Sequence, residues 1–161
     1  MSERPLTLEE KAMNSETWAH INQVQRLLME VIGGLQTRLL NHDKSKLEPP
    51  EVAIFAEYTP KLRGTTYGSE EYKRFLAEMK PALDHHYAKN SHHPEHFADG
   101  INGMDLLDLL EMLADWKAAT MRHDDGDLRR SLAINKERFG IGDQLAAILE
   151  NTARSMGWIR P

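Results

Sequence analysis

Residues 104–123 read MDLLDLLEMLADWKAATMRH. Leu106, Leu109, Leu110 and Leu113 recur at the spacing of one helical face, and they predict a core stripe. Asp108, Glu111 and Asp115 fall on the opposite side at the same helical spacing. Taken alone, that side reads as a solvated acidic face. Its flanks, however, are Leu107, Met112, Ala114, Trp116, Ala118 and Ala119. A helix apolar almost all round is usually central in its domain, and a narrow acidic strip on it would face a polar pocket. The stretch therefore predicts a helical domain built around a helix from about Met104 to His123.

The rest of the chain agrees with that reading, and strand-like alternation of apolar and polar residues is absent. Thr7 to Glu10 reads as a capping box opening a first helix to about Val31, with Trp18, Ile21, Val24, Leu28 and Val31 at helical spacing. Gly33–Gly34 is expected to break or bend it, leaving a short helix from Leu35 to Leu40. Pro49–Pro50 opens a helix through Tyr58, followed by a loop from Thr59 to Gly68. Ser69 caps a helix rich in Glu and Lys that Pro81 kinks or restarts and that ends near Asn90. Ser91 to Gly103 reads as a polar loop and Asp124–Asp125–Gly126 as a turn, and amphipathic helices follow over about 127–138 and 143–156. The expected fold is all-α: a single domain over residues 1–161, a compact bundle of about six to seven helices.

Composition narrows the function. The 161 residues suit one hydrophobic core, with 40% hydrophobic and 28% charged residues. A net charge of −5 argues against a protein that coats nucleic acid, which needs a basic face. It does not argue against a phosphate substrate, because a bound metal supplies local positive charge. The absence of cysteine excludes disulfides and thiolate zinc sites. No apolar signal segment opens the chain and no apolar run spans a bilayer, so a cytoplasmic protein without a membrane partner is expected. Gln144 to Trp158 reads as a core-packing helix more than a dimer contact, and a homodimer stays open.

The eight histidines carry the most information: His20, His42, His85, His86, His92, His93, His96 and His123. His20 shares a helical face with Val24, Leu27 and Val31, which suits a core histidine bonded to a carbonyl as well as a ligand. His42–Asp43 ends a helix, where a polar cap is the plainer reading. Between His85 and His96, five histidines fall in twelve residues, and the pairs His85/His92 and His86/His93 are each seven apart. Such a tract reads either as a solubilised loop or as a genuine metal-binding cluster, since imidazole suits zinc, iron, nickel, copper and manganese.

In order, the chain presents His20, His42–Asp43, a histidine cluster and Asp115. This order resembles the HD domain of metal-dependent phosphohydrolases. His42-Asp43-Lys44-Ser45-Lys46 resembles the His-Asp-x-Gly-Lys signature of its two-metal branch, with Ser45 in place of Gly. His92-His93-Pro94-Glu95 with Asp99-Gly100 is similar to a segment of the HD-GYP phosphodiesterases, but Ile101-Asn102-Gly103 follows where Gly-Tyr-Pro would stand. That departure argues against cyclic-di-GMP as substrate. Over about residues 17–120 the chain more closely resembles small HD-like proteins without an assigned activity, frequent in phages and bacteria, which share His-Asp-x-Ser-Lys, the paired histidines and Asp-Trp.

The resemblance implies a site. His20, His42, Asp43 and Asp115 would bind one metal, and Asp43 would bridge to a second held by His86, His92 and His93. His85 and His96 would lie behind the ligands or touch substrate, with Asn90 and Glu95 as outer partners of the imidazoles. Asp43 and Lys46 would carry catalysis. Lys46 and Lys89 would bind the substrate phosphate, with Lys44 or Arg63 as helpers. The implied cofactor is one or two divalent ions, drawn from Mn, Zn, Fe, Ni, Co or Mg. The implied activity is hydrolysis of a nucleotide or related small phosphate ester, in the first place a nucleoside monophosphate. Cyclic nucleotide hydrolysis, di-iron oxygenase chemistry and non-catalytic metal binding are the alternatives.

Overall fold

A computed structural model of the protein describes residues 4–65, 69–122 and 126–159, apart from the side chain of Arg63. His123, Asp124, Asp125 and the end of the Thr59–Gly68 loop lie outside the described residues. The described residues form seven α-helices and no strand: α1 (Leu8–Asn41), α2 (Glu51–Arg63), α3 (Glu70–Glu78), α4 (Lys80–Lys89), α5 (Leu106–Thr120), α6 (Leu128–Phe139) and α7 (Asp143–Ser155). Short 3₁₀ turns occupy Lys44–Leu47, Pro94–His96 and Gly100–Gly103. The fold is all-α, as the periodicity predicted. By its internal contacts the chain divides into two units, Met1–Leu40 and Asn41–Pro161.

The first unit is essentially α1. Its start is the expected capping box: the Glu10 N–H donates to Thr7 Oγ1 at 3.1 Å, and the Thr7 N–H donates to Glu10 Oε2 at 2.8 Å. The expected break at Gly33–Gly34 does not occur, because α1 is one helix of 34 residues. Each helical glycine costs about 1 kcal/mol relative to alanine. Stopping there would instead require a second, unfavourable nucleation for Leu35–Leu40. Propagation through two glycines is the cheaper course. His20 lies on α1 with its side chain exposed.

The second unit holds the core. Leu109, Met112, Leu113, Ile141 and Leu149 are buried together, joining α5 to α7 and to the turn after α6. Trp116 stacks on Phe139 with 6.1 Å between centroids and 4° between planes. Leu106 and Leu110, expected in the core stripe, are exposed at 74% and 39%. The buried stripe is instead Leu109, Met112 and Leu113, turned about one position from the expected one. The reason is that Asp108 is itself buried. It completes a capping box with Asp105, taking the Asp105 N–H at 2.9 Å, and it accepts the Ser91 hydroxyl at 2.6 Å.

α2 also departs from expectation. It continues through Thr59 and Pro60 to Arg63 rather than ending at Tyr58. Pro60 lies in the last turns, where losing one N–H removes a single bond to a helix already nucleated. α3 and α4 meet at Met79, with the Tyr72 N–H donating to Ser69 Oγ at 3.1 Å and Pro81 in the first turn of α4. Pro81 therefore restarts the helix. α4 ends at Lys89; Asn90 is extended, and a turn follows in which the His93 N–H donates to the Asn90 carbonyl at 3.3 Å.

Candidate metal centre

Asp43 organises the site. It follows the end of α1 with φ 55° and ψ 12°, the left-handed conformation that aspartate tolerates better than most residues. This turn sends the chain into the Lys44–Leu47 turn and holds the Asp43 carboxylate among the histidines. Oδ1 lies 3.2 Å from His86 Nε2 and 3.5 Å from His92 Nε2. Oδ2 receives the Lys46 ammonium at 2.6 Å and lies 3.6 Å from His42 Nε2. His42 Nε2 is also 3.8 Å from Asp115 Oδ1, and His86 Nε2 is 3.0 Å from His93 Nε2.

The outer face of each ring explains this inward arrangement. Glu51 opens α2 and is fully buried; its Oε1 takes His85 Nδ1 at 2.7 Å and its Oε2 takes His86 Nδ1 at 2.9 Å. The Asn90 amide lies 2.8 Å from Ser45 Oγ and from the His86 carbonyl and 3.0 Å from His86 Nδ1, and Ser45 Oγ lies 3.2 Å from that nitrogen; the Glu51 carboxylate, at 2.9 Å, is its charged acceptor. Glu111 on α5 does the same for His42, whose Nδ1 lies 2.8 Å from Oε1, and the same oxygen lies 3.2 Å from His92 Nδ1. A neutral imidazole that donates through Nδ1 keeps its lone pair on Nε2. The Nε2 atoms of His42, His86 and His92 thus turn toward the oxygens of Asp43.

Electrostatics sharpen the picture. Burial raises the Asp43 carboxyl, but neighbouring His86 and the Lys46 ammonium outweigh it and hold the group well below the carboxylate range. Burial lowers His92 below the ordinary histidine value, and burial with His92 and His86 alongside pushes His93 down to about 3. Both rings are neutral at pH 7. Two buried atoms in this cluster, Asp43 Oδ1 and His92 Nε2, make no hydrogen bond. Lone pairs on a carboxylate and neutral imidazoles facing each other repel, and a cation among them removes the conflict. A metal therefore fits the residues present.

Among the described residues, Asp43, His86, His92 and His93 form one group able to hold a metal ion, and His42, Asp43 and Asp115 form a second. The set His42, His92 and Glu111 also lies close together, but the Nδ1 contacts to Glu111 account for it. Of the other residues singled out from sequence, His85 is half-buried on Glu51, outside these groups. His96 is exposed and donates from Nδ1 to the Tyr87 carbonyl at 2.7 Å. Glu95 pairs with Arg138 at 2.8 Å. Lys44, Lys89, His85, Ser45 and Asn90 line a cavity of about 430 Å³ beside the cluster. His20 lies in the first unit and is in none of the metal-capable groups.

Sequence reading did not assign Glu51, and it placed Glu111 in the acidic strip without a role. For Glu51 the local sequence carries no signal, since an acidic residue after Pro49–Pro50 is ordinary in a first helical turn. Glu111 was traceable, being one turn before Asp115 on the same strip.

The fold and site define a class: an all-α protein with a buried histidine and carboxylate cluster able to hold a metal ion. Within that class the chain belongs to the Family of unknown function (DUF5662), whose profile matches residues 9–155. No curated protein and no solved structure matches the chain.

Proposed function

We propose that the protein is a metal-dependent phosphohydrolase of the HD type, acting on a nucleoside monophosphate or a related small phosphate ester. One observation carries the reading. His86 and His92, with Nδ1 beside the carboxylates of Glu51 and Glu111, turn their Nε2 atoms onto Asp43 Oδ1, which has no hydrogen-bond partner among the described residues. Anchoring of this kind is the usual outer support of metal-bound histidine. The resemblance of His42-Asp43, the paired histidines and Asp115 to the HD order supplies the reaction class.

His86, His92, His93 and Asp43 would hold a divalent ion, and three imidazoles with one carboxylate suit Zn, Mn, Fe, Ni or Co better than the all-oxygen preference of Mg. His42, Asp43 and Asp115 would be the residues for any second ion. A divalent ion in such a site acts as a Lewis acid and lowers the pKa of water. The protein's own part is to orient and to balance charge. Lys46 places an ammonium at the carboxylate edge, while Lys44 and Lys89 bring positive charge to the adjoining cavity. The overall step joins a water oxygen to phosphorus and breaks the ester P–O bond; the leaving oxygen gains a proton, and inorganic phosphate departs.

The test is chelator-free purification, metal analysis by mass spectrometry, and a phosphate-release screen over nucleoside monophosphates. Wild type should release phosphate, and chelator or Asp43→Ala should abolish release. Ring opening of a cyclic nucleotide without phosphate release would point to the phosphodiesterase reading. Two irons with oxygen uptake would point to oxygenase chemistry. Bound metal with no turnover would leave a binding module.

A further inference from the structure

We infer that the centre takes a single tightly held metal ion and that Lys46 serves as the resident cation at the second position. The inference rests on the metal reading above and narrows it. The two oxygens of Asp43 are not equivalent. Oδ1 is buried, faces His86 Nε2 and His92 Nε2 at 3.2 and 3.5 Å, and makes no hydrogen bond. His92, at 2% exposure, has its own Nε2 without a partner in the same place. His93 Nε2 completes that group, so four protein donors meet there, enough for a tetrahedral ion.

Oδ2 is different. It carries the Lys46 ammonium at 2.6 Å, a short charge-assisted contact. The ammonium is also 5.6 Å from the centroid of the Phe55 ring, close enough for a cation–π contact that helps keep it in position. His42 Nε2 and Asp115 Oδ1, the other members of the second group, lie 3.6 Å from Oδ2 and 3.8 Å from His42 Nε2 respectively. A second dication would have to share Oδ2 with a positive charge already bonded to it, and it would have only three donors from this group. Among the described residues, the second group is served by a protein cation, Lys46, and Asp43 Oδ1 in the first has no such partner. Lys46 then supplies, as a fixed monovalent charge at Asp43 Oδ2, positive charge that two-metal sites obtain from their second ion.

The test titrates metal-free protein with Zn²⁺ and reads stoichiometry and Kd by calorimetry and native mass spectrometry. Wild type should bind one ion tightly, with any second step at least a hundredfold weaker. Lys46→Met, which keeps the aliphatic length over Phe55, should strengthen the second step tenfold or more. Adding Asp115→Asn should remove the gain and leave the first step unchanged. Lys46→Gln gives the same comparison if the methionine variant folds poorly by circular dichroism. Two ions of similar affinity in wild type, or no change in the second step in both Lys46 variants, overturns the inference while leaving a metal centre in place. Wild type that binds no Zn²⁺ overturns the metal reading itself. One ion in wild type with the gain in the Lys46 variants, but no phosphate release, refutes the proposed activity and upholds Lys46 as the cation at the second position.

Discussion

Removing Glu51 should weaken metal binding without touching a ligand. Its two oxygens hold His85 Nδ1 at 2.7 Å and His86 Nδ1 at 2.9 Å, and the side chain is wholly buried. Burial raises the Glu51 carboxyl, but contacts with His85, Ser45 and His86 outweigh this and keep it below its ordinary value. It is therefore a fixed negative charge behind His86. Glu51→Gln keeps a hydrogen-bond acceptor for His86 and removes the charge. Its amide can turn its donors toward half-buried His85, which is free to change tautomer. Zn²⁺ affinity should fall by about tenfold, near 1.4 kcal/mol, the low end of losses seen when such partners are altered. Glu51→Ala removes both the charge and the orientation. It leaves the buried His86 Nδ1–H with only the longer contact to the Ser45 hydroxyl at 3.2 Å, at a cost of about 1 kcal/mol in stability. Its affinity should fall toward a hundredfold, about 2.7 kcal/mol. His85→Ala alone should change affinity by less than about threefold, because His85 belongs to none of the metal-capable groups. Calorimetric titration of metal-free protein, with circular dichroism to confirm helix content, measures all three. If Glu51→Ala binds Zn²⁺ as tightly as wild type, Glu51 does not orient His86. If His85→Ala loses as much as Glu51→Ala, the metal is held through His85 instead.

Two further expectations come from the same region. Burial lowers His93 from 6.5 to about 3, so the folded protein resists a proton that the unfolded chain accepts. Stability of the metal-free protein should therefore drop as pH falls from about 6.5 toward 3, by up to about 1.4 kcal/mol per pH unit from this ring. Urea unfolding in chelator at several pH values should show a shallower slope for His93→Gln, and an unchanged slope would count against the buried neutral ring. At Gly103, an added Cβ would lie 2.7 Å from Phe97 Cβ and 2.9 Å from Phe97 Cγ. Gly103→Ala should destabilise by about 1–3 kcal/mol through overpacking; a urea midpoint equal to wild type would show that Phe97 moves aside freely.

The helices were legible because each is written in local chemistry. The Thr7–Glu10 box, the Ser69 cap, Pro81 and the apolar period near Leu109 and Leu113 act within a turn or two of themselves. The His42–Asp43 pair and the clustered histidines stood out for the same reason, as unusual residues close in sequence. What sequence alone misjudged was decided by longer-range balance. Gly33–Gly34 stays helical because propagation outweighs two local penalties, and Leu106 and Leu110 turn outward because Asp108 claims the buried side. The carboxylates that aim the rings were least visible of all. Glu51 is 35 residues from His86 and Glu111 is 69 from His42. Only folding brings each carboxylate to the Nδ1 that fixes where the opposite lone pair points. Composition and period thus determined a helical protein rich in ligand types. The tertiary structure decided which nitrogen faces which oxygen, because tautomer and direction depend on partners far apart in the chain.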